Sequence, residues 1–327
     1  MKKRLIKIIV SSLLLVTVAA VFLYNYYLAI GYPPQPNLSG QLLHSQLSVD
    51  GHNRDFNYYL PNNVGAGAPL VFVLHGSMSD GATMRSKTAY QFDKIADTEG
   101  FIVVYPNGYK KHWNDCRASA RYAANTQNIN DVKFITNMID FFARSHQIDT
   151  SQVFATGFSN GGHLAYRLGF ERPAQFAAIA PIAANHPVMD NFDCEKTQQA
   201  VSVAIFNGTR DPVNPYDGGL VSILGDNSRG AVISTAESIN YWRNLAGITQ
   251  PATITELSTS DNPATHVTLS AWQGANGTQV RLYTLHNSGH VVPSRLVKYG
   301  KFFGSSATDI EAAQQVWDFF SETITAK

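Results

Sequence analysis

The stretch VFATGFSNGG, residues 153–162, decides the fold. Val153–Gly157 is a short apolar run of the kind that forms a buried strand, and Asn160–Leu168 has the composition of a helix. Between them Gly157, Ser159 and Gly161 form a G-x-S-x-G element. The five-residue pattern alone is a weak signal, because it also describes a glycine-rich structural turn with an incidental serine. Its position gives it weight. A tight strand-to-helix turn holds a serine exposed at the carboxyl edge of a sheet, and the two glycines relieve crowding on either side of the strained residue. The amide of Asn160 then points into the site from the start of the helix.

Working outward, the same alternation recurs. Leu43–Leu60 reads as two strands around Asp50-Gly51. Leu70–Leu74 (LVFVL), Phe101–Tyr105 (FIVVY), Phe176–Ile182 and Val201–Phe206 are short continuous apolar runs, suited to parallel strands covered on both faces. Residues 85–98, Asp131–Ala143 and Ala231–Ala246 read as helices; Val132, Ile135, Ile139 and Phe142 fall at helical spacing. Thr265–Ala271 and Val280–Leu285 are two strands across the Gly274–Gly277 turn. Thr308 and Glu311 have capping-box spacing before a last helix whose apolar side is Ile310, Ala313, Val316 and Phe319–Phe320. Strands alternating with helices imply an α/β architecture: a mostly parallel central sheet with helices on both faces, a three-layer sandwich.

A serine nucleophile needs a base, and the base needs an orienting group. Asp211 follows the Val201–Phe206 strand and His290 follows the Val280–Leu285 strand, both at the strand ends where open α/β sheets place their sites. The order Ser159, Asp211, His290 is the one expected for this architecture. Asp217 rivals Asp211, and His286 rivals His290. For the oxyanion, the N–H of Asn160 is one donor by position, and the loop after Leu74 supplies the second, with Ser77 ahead of Met78. His163, behind the nucleophile, reads as structural, and His75 as packing beneath the loop. The sequence contains no HExxH, no GxGxxG after the early strands and no GxxxxGK[ST]. The expectation is therefore a site with no metal and no cofactor.

The composition agrees. Of 327 residues 44% are hydrophobic and 15% charged, excluding a disordered chain, a coiled coil or a collagen-like polymer. Lys and Arg number 25 against 24 Asp and Glu, and four of those bases (Lys2, Lys3, Arg4, Lys7) lie at the extreme N-terminus. The remainder carries 21 against 24, so it lacks a basic footprint for nucleic acid. Residues 8–24 form an uncharged apolar run, extended to residue 30 at lower hydrophobicity. Basic residues before such a run send the following chain outward. Residues 1–31 are therefore read as a signal peptide or an N-terminal membrane anchor, with membrane association through residues 8–30. Residues 32–40 are read as a linker and 41–327 as a single catalytic domain. The location is periplasmic or extracellular, or tethered at the outer face of the cytoplasmic membrane. Cleavage is open: Val18-Ala19-Ala20 falls inside the apolar run, and Leu28-Ala29-Ile30 lacks a small residue at its first position. Cys116 and Cys194 are the two cysteines, and export favours their pairing as a disulfide over a pair of buried thiols.

The body, about residues 45–322, resembles the polyhydroxybutyrate depolymerase and feruloyl esterase group of exported α/β-hydrolases. The resemblance rests on LHG at 74–76, YPNG at 105–108, WNDC at 113–116, DVKFI at 131–135, GFSNGG at 157–162, NGTRDPVNPYDGG at 207–219, SGHVVP at 288–293 and VWDFF at 316–320. The group's nucleophile, acid and base fall on Ser159, Asp211 and His290. The chain departs from the group at Asn130-Asp131, where an aspartate pair is frequent. It departs again at Val291–Ser294, where a tryptophan often stands beside the base. Trp113 and Met78 are the candidate cleft walls. The resemblance implies a serine carboxylic-ester hydrolase acting through an acyl-enzyme. The substrate reading is short polyhydroxyalkanoate-type oligoesters, with feruloyl or acetyl esters of plant polysaccharide as the alternative. A peptidase and a non-catalytic surface-binding protein on a hydrolase scaffold are more distant. The acyl group, the alcohol and the oligomeric state are not legible.

Overall fold

The computed structural model describes residues 2–257 and 264–325. The chain opens with helix α1 (Lys2–Tyr27), whose stretch Ile9–Tyr27 is long and apolar enough to cross a membrane and has no residue fully buried against the body. Strand β1 (Ile30–Gly31) follows. The hairpin β2 (Gln41–Val49) and β3 (His52–Leu60) turns at Asp50-Gly51, both with positive φ. Then come β4 (Leu70–Leu74), helices α2 (Gly81–Lys87) and α3 (Gln91–Glu99), β5 (Ile102–Pro106), the short α4 (Ala123–Thr126), α5 (Asp131–His146), β6 (Val153–Phe158) and α6 (Asn160–Glu171). After these run β7 (Ala178–Ile182), β8 (Ser202–Gly208), the two-residue pair β9 (Gly219–Leu220) and β10 (Ala231–Val232), and α7 (Thr235–Leu245). The chain closes with β11 (Thr253–Glu256), β12 (His266–Gln273), β13 (Gln279–His286), β14 (Lys298–Tyr299) and α8 (Ala312–Thr325).

Ten of the strands form one sheet in the order β11-β12-β13-β8-β7-β6-β4-β5-β3-β2. The run from β13 to β5 is parallel, and the outer strands on both edges are antiparallel. Strand β4 illustrates how the layers arise. Leu70, Phe72 and Leu74 face Phe134, Ile135 and Met138 of α5 and Leu164 and Leu168 of α6, whereas Val71 and Val73 face the core of α3 and α8. Burial on both faces is why the strand reads as five apolar residues rather than as an alternation. Each such side chain contributes roughly 1.5–3 kcal/mol by leaving water. This three-layer sandwich with a mixed, mostly parallel sheet is the α/β-hydrolase fold.

Several local expectations are corrected. The helix anticipated over 85–98 is broken between α2 and α3, because Ala89 and Tyr90 adopt φ of 53° and 59°. The 308–311 capping box does not form. Glu311 instead accepts the backbone N–H of Arg295 at 2.9 Å, and α8 starts at Ala312. The capping box that does form joins Ser234 and Glu237 at the start of α7. The strand expected from Phe176 begins at Ala178, after a 3-10 turn at Pro173–Gln175. Strand β11, at the sheet edge, was not anticipated; all four of its residues are exposed, so it lacks an apolar run.

Candidate active site

Ser159 caps α6 at the carboxyl end of β6, with φ 55° and ψ −117°. The strain is held by the backbone around it. Its N–H donates to the carbonyl of Ile182 at 2.9 Å, and its carbonyl accepts the N–H of His163 at 2.9 Å. The flanking glycines are forced by close approach. A Cβ on Gly157 would lie 2.4 Å from the carbonyl oxygen of Gly161, and one on Gly161 would lie 2.4 Å from that of Leu74. Among the described residues the Ser159 hydroxyl has no protein hydrogen-bond partner, and Ser159 lines a pocket of about 420 Å³ together with His290, Gly76, Ser77 and Met78.

Two further strand ends meet there. After β8, Asp211 turns back so that its Oδ1 accepts the N–H groups of Val213 and Asn214 at 2.7 and 2.8 Å. Its Oδ2 lies 2.7 Å from Nδ1 of His290, which follows β13. Both side chains are almost wholly buried. The bond to Asp211 occupies Nδ1 and leaves Nε2 as the other ring nitrogen. The N–H of His290 donates to the carbonyl of Phe303 at 2.7 Å, and the ring of Phe158 packs 4.7 Å from the imidazole. The rivals fall away on geometry. Asp217 is exposed, and His286 stacks on His266 and pairs with the Thr268 hydroxyl at 3.0 Å.

Asn160 begins α6, and the first N–H groups of a helix have no partner within it. The loop after β4 approaches closely: a Cβ on Gly76 would meet Ser159 Cβ at 3.4 Å. Beneath it His75 is fully buried, with Nδ1 2.7 Å from the Gly76 carbonyl and Nε2 accepting the Gly108 N–H at 2.9 Å. Burial pushes this imidazole down to about 4, so it serves as a neutral strut. His163 is likewise buried, and burial lowers its pKa. Met78, 64% exposed, stands at the pocket wall. Trp113 does not. Its side chain is fully buried and its indole N–H donates to the His75 carbonyl at 2.8 Å, so it supports the loop from behind.

Sequence reasoning passed over three sets of residues. The side chain of Asn160 accepts the N–H of Trp113 at 2.8 Å and donates to Asp115 at 2.6 Å and to the Trp113 carbonyl at 3.0 Å. Asp115 in turn binds Arg117 and the Tyr122 hydroxyl, each at 2.6 Å. This buried network fixes the 113–122 loop to the turn that carries Ser159; its signal was the WNDC element. Lys87 lines the pocket with Nζ 4.6 Å over the Phe158 ring, and burial pushes its pKa down to about 8. The third set comes from the N-terminal segment: Tyr24, Leu28, Ile30 and Tyr32 line the same pocket.

Cys116 and Cys194 form a disulfide, with Cα atoms 5.1 Å apart, that ties this network to the segment after β7. Opening it is expected to lower stability by about 2–4 kcal/mol and to raise KM, since Cys116 is flanked by Asp115 and Arg117. Denaturant midpoints and ester kinetics with and without reductant check this. An unchanged midpoint would contradict it. Among the described residues no cluster of three or more His, Cys, Asp or Glu side chains could hold a metal ion.

Residues 56–205 match the BD-FAE family. The chain is 27% identical over 83% of its length to a bifunctional acetylxylan esterase/xylanase of Neocallimastix patriciarum, of which it spans about a third, 34%. It is 25% identical to feruloyl esterase B of Talaromyces funiculosus, over 75% of this chain and 71% of that one. Among solved structures, an acetyl xylan esterase from Aspergillus awamori superposes with a TM-score of 0.54, covering 86% of this chain and 99% of that one at 16% identity, a likeness of fold. The chain thus has the α/β-hydrolase fold and is similar to feruloyl and acetylxylan esterases and, at 26% identity over 76% of its length, to a poly(3-hydroxyalkanoate) depolymerase of Paucimonas lemoignei.

Proposed function

We propose that the protein is a serine carboxylic-ester hydrolase in which Ser159 is the nucleophile, His290 the general base and Asp211 the group that orients it. One observation carries the reading: the buried His290–Asp211 pair, 2.7 Å apart, sits at the pocket into which the strained turn presents Ser159. Oγ of Ser159 attacks the ester carbonyl while Nε2 of His290 takes its proton. The N–H of Asn160 and that of Ser77, or of Met78 in its place, hold the developing oxyanion. His290 returns the proton to the leaving alcohol. A water molecule then repeats the sequence on the acyl-enzyme, releasing the acid and restoring Ser159. Asp211 keeps Nδ1 protonated and stabilises the imidazolium that forms.

For substrate, the relatives support feruloyl or acetyl esters of polysaccharide ahead of the polyhydroxyalkanoate-type oligoesters suggested by the sequence elements alone. The deciding measurement is kcat/KM on a matched panel of methyl ferulate, acetylated xylan and 3-hydroxybutyrate oligomers. Fastest turnover of the hydroxybutyrate oligomers would reverse the order. The three side chains are expected to act as a unit, so that Ser159→Ala with His290→Ala costs little more than either change alone. Additive losses would assign them separate roles. The basic residues before Ile9–Tyr27 support a body outside the cytoplasmic membrane.

A further inference from the structure

The N-terminal segment is expected from sequence to be a leader or anchor, yet it is built into the pocket. Ile30 and Gly31 pair antiparallel with Tyr299 and Lys298, nine and eight residues beyond His290. Gly300 lies so close to the helix end that a Cβ on it would sit 2.5 Å from the carbonyl oxygen of Tyr27. The next residues are also tied to the body: Ser39 donates to Asp97 through both its N–H and its hydroxyl at 2.8 Å. Tyr24, Leu28, Ile30 and Tyr32 line the pocket that holds Ser159 and His290. That pocket also continues outward. Tyr24, Leu28, Leu224 and Phe302 line both it and an adjoining apolar groove that runs along α1 past Leu23 and Ala20. Leu224 is 72% exposed in a loop at this junction. An apolar path therefore leads from the serine to the surface of a helix long enough to span a bilayer. Tyr24, Tyr26 and Tyr27 stand at its outer end, where tyrosines favour the lipid–water boundary.

We propose that Tyr24–Tyr32 stays with the mature enzyme as a wall of the substrate site, and that the site takes an ester with an apolar group larger than acetyl, lodged in the groove along α1. This rests on the serine-hydrolase reading above and sharpens it: a feruloyl ring or a longer alkyl chain fills the groove, whereas an acetyl group has no use for it. The apolar group is on either the acyl or the alcohol side of the ester, and the substrates below separate the two.

The test uses the full chain in detergent micelles or lipid nanodiscs. Hydrolysis of p-nitrophenyl acetate and p-nitrophenyl octanoate, and of ethyl acetate and octyl acetate, is compared for the wild type, Leu28→Asp, Leu28→Trp and, away from the groove, Leu220→Asp. In the wild type kcat/KM should favour the longer ester within one pair, octanoate over acetate on the acyl side or octyl over ethyl on the alcohol side, and the pair that shows the preference assigns the side. Both Leu28 changes should lower that preference about tenfold or more, the loss of a few buried methylene groups. One introduces a charge and the other fills the space, so a folding failure in one leaves the other to decide. Leu220→Asp should keep the wild-type ratio. A flat ratio across wild type and Leu28 variants would overturn the proposal, as would an active native enzyme whose first residue lies beyond Tyr32. Ser159→Ala separates the two levels: hydrolysis that survives it sinks the serine-hydrolase reading, whereas Ser159-dependent hydrolysis with a flat ratio sinks only this one.

Discussion

Ser159→Ala is expected to reduce kcat/KM by about 10⁴–10⁶-fold while leaving the fold intact. The loss is large because the acyl-enzyme cannot form, and only binding and oxyanion stabilisation remain. A reduction of a few-fold would reject Ser159 as nucleophile. The backbone adds a second, independent expectation. At φ 55° and ψ −117° the residue occupies a region that side chains avoid, and such strain costs on the order of 1–3 kcal/mol. Alanine keeps the Cβ and therefore the strain. Glycine removes it, at the cost of a more flexible unfolded chain worth about 0.4–1 kcal/mol. Ser159→Gly should thus be as inactive as Ser159→Ala and up to about 2.5 kcal/mol more stable than it. Thermal and denaturant unfolding of the two variants, beside ester kinetics, read both effects. A glycine variant less stable than the alanine one by the full entropy cost of about 0.4–1 kcal/mol would mean that the turn is not strained.

The central layers were legible in the sequence because burial on both faces leaves a plain signal. β4, β5, β6 and β8 are continuous apolar runs, and each observed strand overlaps its expected range. The positions of Ser159, Asp211 and His290 followed from those runs, since each residue stands just past a strand end. What could not be read depends on partners distant in the chain. Glu311 is recruited by Arg295, so the spacing that suggested a cap misled. Trp113 looked like a cleft wall because aromatic residues near a site often are; the His75 carbonyl holds its indole inward, 38 residues away in sequence. The pocket role of Tyr24–Tyr32 was hidden for a related reason. A basic, apolar N-terminal stretch has the composition of a targeting segment whatever it later packs against, and its contact with residues 298–300 exists only in three dimensions.

Asp115→Ala is expected to be the most destabilising single change near the site. Asp115 is fully buried, 2.6 Å from the Arg117 guanidinium, and also accepts from the Tyr122 hydroxyl and the Asn160 amide. Removing it leaves the Arg117 charge buried without its counter-ion, which costs about 3–5 kcal/mol, more than the intact pair itself contributes. The carboxylate's own balance is informative. Burial alone would raise its pKa, but the Arg117 charge and the hydrogen bonds outweigh burial and hold it at about 2, below the ordinary value of about 3.9. A carboxylate depressed in the folded state stabilises the fold above its unfolded pKa and loses that contribution as pH falls. The wild type should therefore lose roughly 2 kcal/mol from this group between about pH 4 and pH 2, a loss that Asp115→Ala should no longer show. Activity should fall further than stability alone requires, because Asn160 Nδ2 loses its 2.6 Å partner and the turn that carries Ser159 loses its tie to the 113–122 loop. Urea midpoints of both proteins at pH 7 and pH 3, with kcat measured where each is fully folded, separate the two effects. Replacing Asp115 and Arg117 together by leucine should recover much of the stability but not kcat, since the apolar pair cannot receive the Asn160 amide. Recovery of both would reduce the network to packing and remove its role in positioning the nucleophile.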